Sequence, residues 1–185
     1  MHASNSSVST RQSCRDGPLG FPRVVLAGHS LGAVKAVYYQ GTHQDERVAA
    51  LISASGPVQF GQWISEATER VRLAERMVAE GRGDELLPPD AGRRITSAQT
   101  FLSGARTNLD VYGLERADTP LAHIRCPVLF VLGSEEPHIG TPADFPLLRS
   151  NARAASAVET LYVKGADHQY RGRELAVGDW FERLV

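Results

Sequence analysis

The sequence predicts an α/β protein, a mostly parallel sheet flanked by helices. Three observations carry this reading. Four short apolar runs recur along the chain, they are continuous rather than alternating, and helical patterns separate them. Strands buried on both faces of a parallel sheet read as unbroken apolar runs. Strands that alternate with helices call for right-handed crossover connections. With 185 residues, 42% of them hydrophobic and 22% charged, the chain is long enough for one domain with a sizeable core.

Residues 1–20, "MHASNSSVSTRQSCRDGPLG", are rich in serine and contain no apolar stretch of the kind that begins a secretory signal. They read as a disordered or irregular leader, with the folded domain over 21–185. The first apolar run is "RVVLA", Arg23–Ala27. A helix follows from Leu31 to about Gln40, with Ala33, Val34, Ala36 and Val37 on one side. The second run is "VAALISAS", Val48–Ser55.

A long insertion, about 57–123, then breaks the alternation. Within it Gln62–Glu80 places Ile64, Ala67, Val71, Ala74 and Val78 at helical spacing, with a charged opposite face. A loop rich in Pro and Gly follows at Asp84–Gly92, and a weaker helix after that. This insertion is expected to cap the carboxyl edge of the sheet rather than to form a separate domain. The third run, "PVLFVLG" (Pro127–Gly133), leads to a helix over Pro142–Ala155 with Leu147 and Leu148 inward. The fourth run is "ETLYVKG" (Glu159–Gly165), and a helix over Arg173–Val185 closes the chain.

The chemistry centres on Gly28-His29-Ser30-Leu31-Gly32, a G-x-S-x-G pattern between a buried-strand run and a helix. A strand that turns abruptly into a helix holds the apex serine in a strained backbone conformation. Side chains at the flanking glycines are expected to collide with neighbouring backbone. The turn lifts the hydroxyl clear of the sheet, beside a helix N-terminus that favours developing negative charge. Five letters alone are a weak signal, and the strand before and the helix after make this one specific.

"VVLAGHSLGA", "PVLFVLGSEEP" and "GADHQY" together resemble the α/β-hydrolase family, esterase- and lipase-like serine hydrolases, from the nucleophile elbow onward. The resemblance covers roughly Phe21 to Val185. In that family the catalytic residues follow the chain order nucleophile, acid, histidine, which Ser30, Glu136 and His168 match. His168 lies just after the fourth run, where the resemblance puts the base. The family's Gly-x-x-Asp after the third run is here Gly133-Ser134-Glu135-Glu136, which puts Glu136 at the acid position with Glu135 as its competitor. His29, beside the nucleophile, is expected to support the elbow or line the substrate pocket. Asp167 is expected to be a neighbouring or surface carboxylate, His138 lies in the acid loop where a histidine could contact substrate but is more often simply exposed, and His2, His43 and His123 have no motif around them.

The resemblance gives the oxyanion hole one N–H from Leu31. The family takes a second from a loop after an early strand, and that loop is not in this sequence. One lost donor costs 10²–10³ in rate as an order of magnitude. The elbow strand is also expected at an edge of the sheet, where a homodimer pairing would satisfy it. Trp63, Phe60, Phe101 and Tyr112 are candidate liners of a pocket for a small or medium apolar acyl group, although such aromatics are more often core than pocket.

The implied function is a serine hydrolase of carboxylic esters or related acyl compounds, working through an acyl-enzyme on a small-molecule substrate and without a cofactor. The alternative is a catalytically weak relative that serves as a binding or assembly module. A net charge of −1 gives no electrostatic case for nucleic acid, and no apolar run approaches a membrane span. Two cysteines make no disulfide framework, and no metal-ligand spacing is present. A cytoplasmic location is expected.

Overall fold

The computed structural model describes residues 21–59, 67–89, 95–106, 110–176 and 178–179. Four parallel strands, β1 (Val24–His29), β2 (Val48–Ala54), β3 (Val128–Gly133) and β4 (Val158–Val163), pair in the order β1-β2-β3-β4. Each of the four apolar runs is a strand. The α-helices between and around them are α1 (Leu31–His43), α2 (Thr68–Ala79), α3 (Ala98–Arg106), α4 (Pro120–His123) and α5 (Phe145–Asn151). The mostly parallel sheet flanked by helices is the predicted fold class.

β2 and β3 send alternate side chains to opposite faces, as the pleat requires. Leu51, Val128 and Phe130 join α1 residues Val34 and Val37 in one core, together with Val111, Tyr112, Leu121, Ile124 and Leu148. Ile52, Leu129 and Val131 face the other way, against Val163, Ala166 and Tyr170. Every residue of β3 is buried, which is why its run is apolar throughout. Each large side chain so buried contributes roughly 1.5–3 kcal/mol.

β1 departs from the expectation of a strand buried on both faces. It lies at the end of the sheet, its residues are exposed or half-buried, and Val24 is 45% exposed. Among the described residues β1 has a neighbour on one side only, which is the edge position expected for the elbow strand, and there the apolar run is not covered on both faces. The amides of Val24 and Ser30 bond the carbonyls of Arg47 and Ala54. By alternation, Val25, Ala27 and His29 turn their backbone groups away from β2.

The insertion between β2 and β3 has two parts. α2 and α3 pack on each other through Ala74, Met77, Ala98, Phe101 and Leu102, a cluster distinct from both sheet cores. From Asp110 onward the chain instead joins the main core through Val111, Tyr112 and Leu121. Asp110 organises that return, since its carboxylate accepts the backbone amides of Gly113, Leu114, Glu115 and Arg116. The predicted helix over Pro142–Ala155 is shorter, a 3₁₀ turn at Pro142–Asp144 followed by α5, with Leu148 buried and Leu147 half-buried. Residues 174–176 and 178–179 of the predicted closing helix are helical.

Candidate active site

Ser30 sits between β1 and α1 with φ 57° and ψ −126°. This is left-handed backbone on a residue with a Cβ, a conformation that costs on the order of 1–3 kcal/mol and is held only by its surroundings. Two bonds hold it here. The Ser30 amide donates to the Ala54 carbonyl at 2.9 Å, and the Ser30 carbonyl accepts from the Ala33 amide at 3.0 Å. A Cβ on Gly28 would fall onto the Gly32 carbonyl and the Ala33 nitrogen, so only glycine lets α1 start this close to the strand. Gly32 differs from the expectation, because a Cβ there meets no heavy atom within 4 Å. The crowding of this turn is thus one-sided. Leu31 opens α1, and its N–H is one of the four that an α-helix leaves without an intrahelical acceptor.

The structure brings Ser30, His168 and Glu136 into one hydrogen-bonded chain. The Ser30 hydroxyl lies 3.0 Å from His168 Nε2, and His168 Nδ1 lies 2.6 Å from Glu136 Oε2. Glu136 is fully buried, whereas Glu135 is exposed. The carboxylate that faces the histidine is therefore that of Glu136. It follows β3 directly, and its Oε1 accepts the Gly133 amide at 2.7 Å. Asp167 shapes the His168 loop, with Oδ1 accepting the amides of Gln169 and Arg171, and the Arg171 amide holds its carboxyl below the ordinary carboxylate range.

His29 engages the loop rather than open space. Its Nε2–H donates to the His168 carbonyl at 2.6 Å, and the two rings lie 4.8 Å apart. Trp63 and Phe60 lie outside the described residues. Phe101 is buried in the α2–α3 cluster, and Tyr112 is buried in the main core with its hydroxyl 3.0 Å from that of Ser53. Both are packed as core rather than as a pocket lining. Burial pushes the Tyr112 hydroxyl well above its ordinary range.

Sequence reasoning missed two residues of the site. Ser55, just past β2, lies 2.5 Å from Glu136 Oε1, and the Tyr170 hydroxyl lies 2.6 Å from Ser55 Oγ and 3.3 Å from the Val131 carbonyl. Tyr170 stands two places after His168 in "GADHQY", the only hint that the sequence offered. Nothing in the spacing pointed to Ser55. Among the described residues no helix is long and apolar enough to cross a membrane.

These features define an α/β protein built around a serine elbow, with a histidine and a buried carboxylate in line behind the serine. The profile of the alpha/beta hydrolase family matches residues 7–177, and the chain belongs to that family. The match begins inside the stretch read as a leader. Three solved structures illustrate the likeness of fold. Est1E from Butyrivibrio proteoclasticus is 18% identical with a TM-score of 0.52, covering 88% of this chain and 61% of its own. A soluble variant of monoglyceride lipase from Saccharomyces cerevisiae is 14% identical with a TM-score of 0.57, covering 85% and 60%. An esterase from Pyrococcus furiosus is 15% identical with a TM-score of 0.53, covering 92% and 55%. The chain thus spans less than two thirds of the length of each. No curated protein matches it.

Proposed function

We propose that the protein is a serine hydrolase of carboxylic esters or related acyl compounds. The observation that carries this reading is the aligned pair of contacts, Ser30 Oγ to His168 Nε2 at 3.0 Å and His168 Nδ1 to Glu136 at 2.6 Å. His168 takes the Ser30 proton as Oγ attacks the acyl carbonyl, and Glu136 stabilises the resulting imidazolium. The oxyanion develops beside the Leu31 N–H at the start of α1. Collapse breaks the ester C–O bond, and His168 returns the proton to the leaving alcohol. Water, deprotonated by His168, then releases the acid from Ser30. This chemistry needs no cofactor. An ester is favoured over other acyl compounds because two of the similar solved structures are named as a lipase and an esterase.

Hydrolysis of short p-nitrophenyl esters tests the reading. Ser30→Ala and His168→Ala should each lower kcat by roughly 10⁴-fold or more. Glu136→Gln should cost far more than Glu135→Gln, whose side chain is exposed. A larger loss in Glu135→Gln would overturn the choice of acid.

A second reading, a catalytically weak relative acting as a binding or assembly module, is favoured by the position of β1 at the end of the sheet. The outward backbone groups of Val25, Ala27 and His29 suit pairing with a second copy, and a homodimer formed there is part of the proposal. Sedimentation velocity at micromolar concentration should give a dimer, and a compact monomer would contradict it.

A further inference from the structure

Every strand of the sheet delivers something to one hydrogen-bonded chain. Ser30 follows β1, Ser55 follows β2, Val131 lies within β3 and Gly133 ends it, and His168 and Tyr170 lie in the loop after β4. Four non-glycine residues among those described have positive φ: Ser30, Gln44, Ser55 and Tyr170. Gln44 caps α1, and the other three belong to this chain. Such backbone persists only where its surroundings enforce it, and it gathers at functional sites.

The proton order follows from the groups themselves. A carboxylate only accepts, so the Ser55 hydroxyl donates to Glu136 Oε1. That uses the only Ser55 proton, so the 2.6 Å contact with Tyr170 is donated by the tyrosine, whose one proton the Val131 carbonyl shares only at the longer 3.3 Å. Burial pushes the Tyr170 hydroxyl up to about 12, so it keeps its proton at neutral pH. The titratable groups in contact around this chain are Glu136, His168, His29 and Tyr170.

Resting on the reading of Ser30 and His168 as nucleophile and base, we infer that Ser55 and Tyr170 are positioning residues that grip the far oxygen of Glu136 and so aim its near oxygen at His168. Tyr170 acts through Ser55, and Ser55 acts through Glu136. A glutamate has one more rotatable bond than an aspartate. Holding Oε1 from both the Gly133 amide and the Ser55 hydroxyl removes that freedom. Tyr170 also ties the loop that carries His168 to the same point.

Ser55→Gly and Ser55→Ala separate positioning from stability. Both remove the hydroxyl, but glycine suits φ 46° and alanine does not. Ser55→Gly should therefore melt above Ser55→Ala, while both lose roughly 10- to 100-fold in kcat with little change in KM, the range set by a hydrogen bond to a charged group. Tyr170→Phe alone should lose less, and it should add little in the Ser55→Ala background. Activities that track melting temperature, or losses that multiply in the double variant, would overturn the inference.

One measurement is independent of turnover. The low-field proton resonance of His168 Nδ1–H, read by NMR on the full chain, should shift or broaden in Ser55→Gly, and an unchanged resonance would also overturn the inference. A parent protein that fails to hydrolyse esters, while this resonance still responds, would overturn the hydrolase reading and leave the positioning role standing.

Discussion

His29 Nε2 lies 2.6 Å from the carbonyl oxygen of His168, so the residue before the elbow serine holds the loop of the residue that faces that serine. The bond ties the end of β1 to the loop after β4, which lie at opposite ends of the sheet order. Replacing His29 by alanine removes one side-chain hydrogen bond at an exposed site. The loss in kcat should be about 3- to 10-fold, corresponding to roughly 0.5–1.5 kcal/mol. His29→Gln, which keeps a donor, should recover part of it. Steady-state kinetics on a p-nitrophenyl ester would check this, and equal losses in both variants would contradict it.

The two glycines of the elbow should behave differently. Gly28→Ala drives a methyl group into the Gly32 carbonyl and the Ala33 nitrogen. Backbone cannot yield cheaply there, and destabilisation by several kcal/mol is expected. Gly32→Ala meets no neighbour and replaces a glycine inside α1, which favours the helix by up to about 1 kcal/mol. Thermal melts of the two variants should move in opposite directions.

The turn from α1 into β2 should make stability depend on acid pH. The Arg47 guanidinium beside Asp45, with Oδ2 to Nη2 at 2.6 Å, holds the Asp45 carboxyl well below the ordinary carboxylate range, and the Tyr39 hydroxyl adds a donor at 2.9 Å. A lowered value in the folded state stabilises the fold above the unfolded carboxyl value, near pH 4. That stabilisation is lost as the pH falls through the folded value. Asp45→Asn should therefore lower Tm by about 2–4 °C at pH 7. The gap should narrow steadily below about pH 4. A gap that is constant from pH 7 to pH 2 would contradict the role of the charge.

Much of this arrangement was legible in the sequence, for physical reasons. β3 reads as a strand because both its faces are buried, and Gly28 and Ser30 are legible because the elbow admits few residue types. His168 and Glu136 were legible through their places after β4 and β3. The edge position of β1 was expected from what precedes the elbow, whereas its apolar run alone read as a strand buried on both faces, since such a run looks the same at an edge as in the middle. Ser55 and Tyr170 were not legible. A hydroxyl that finds its partner 81 residues away, or 115, leaves no local pattern. The ease at Gly32 could not be read from the five-letter pattern, because it depends on what packs against the start of α1.

The role proposed for Ser30 is that of an activated nucleophile. Intact-mass analysis after exposure to a fluorophosphonate, followed by peptide mapping, tests it most directly. A single adduct is expected on the peptide containing Ser30, absent in Ser30→Ala and formed far more slowly in His168→Ala. An unlabelled parent protein, or an adduct that persists in Ser30→Ala, would contradict it.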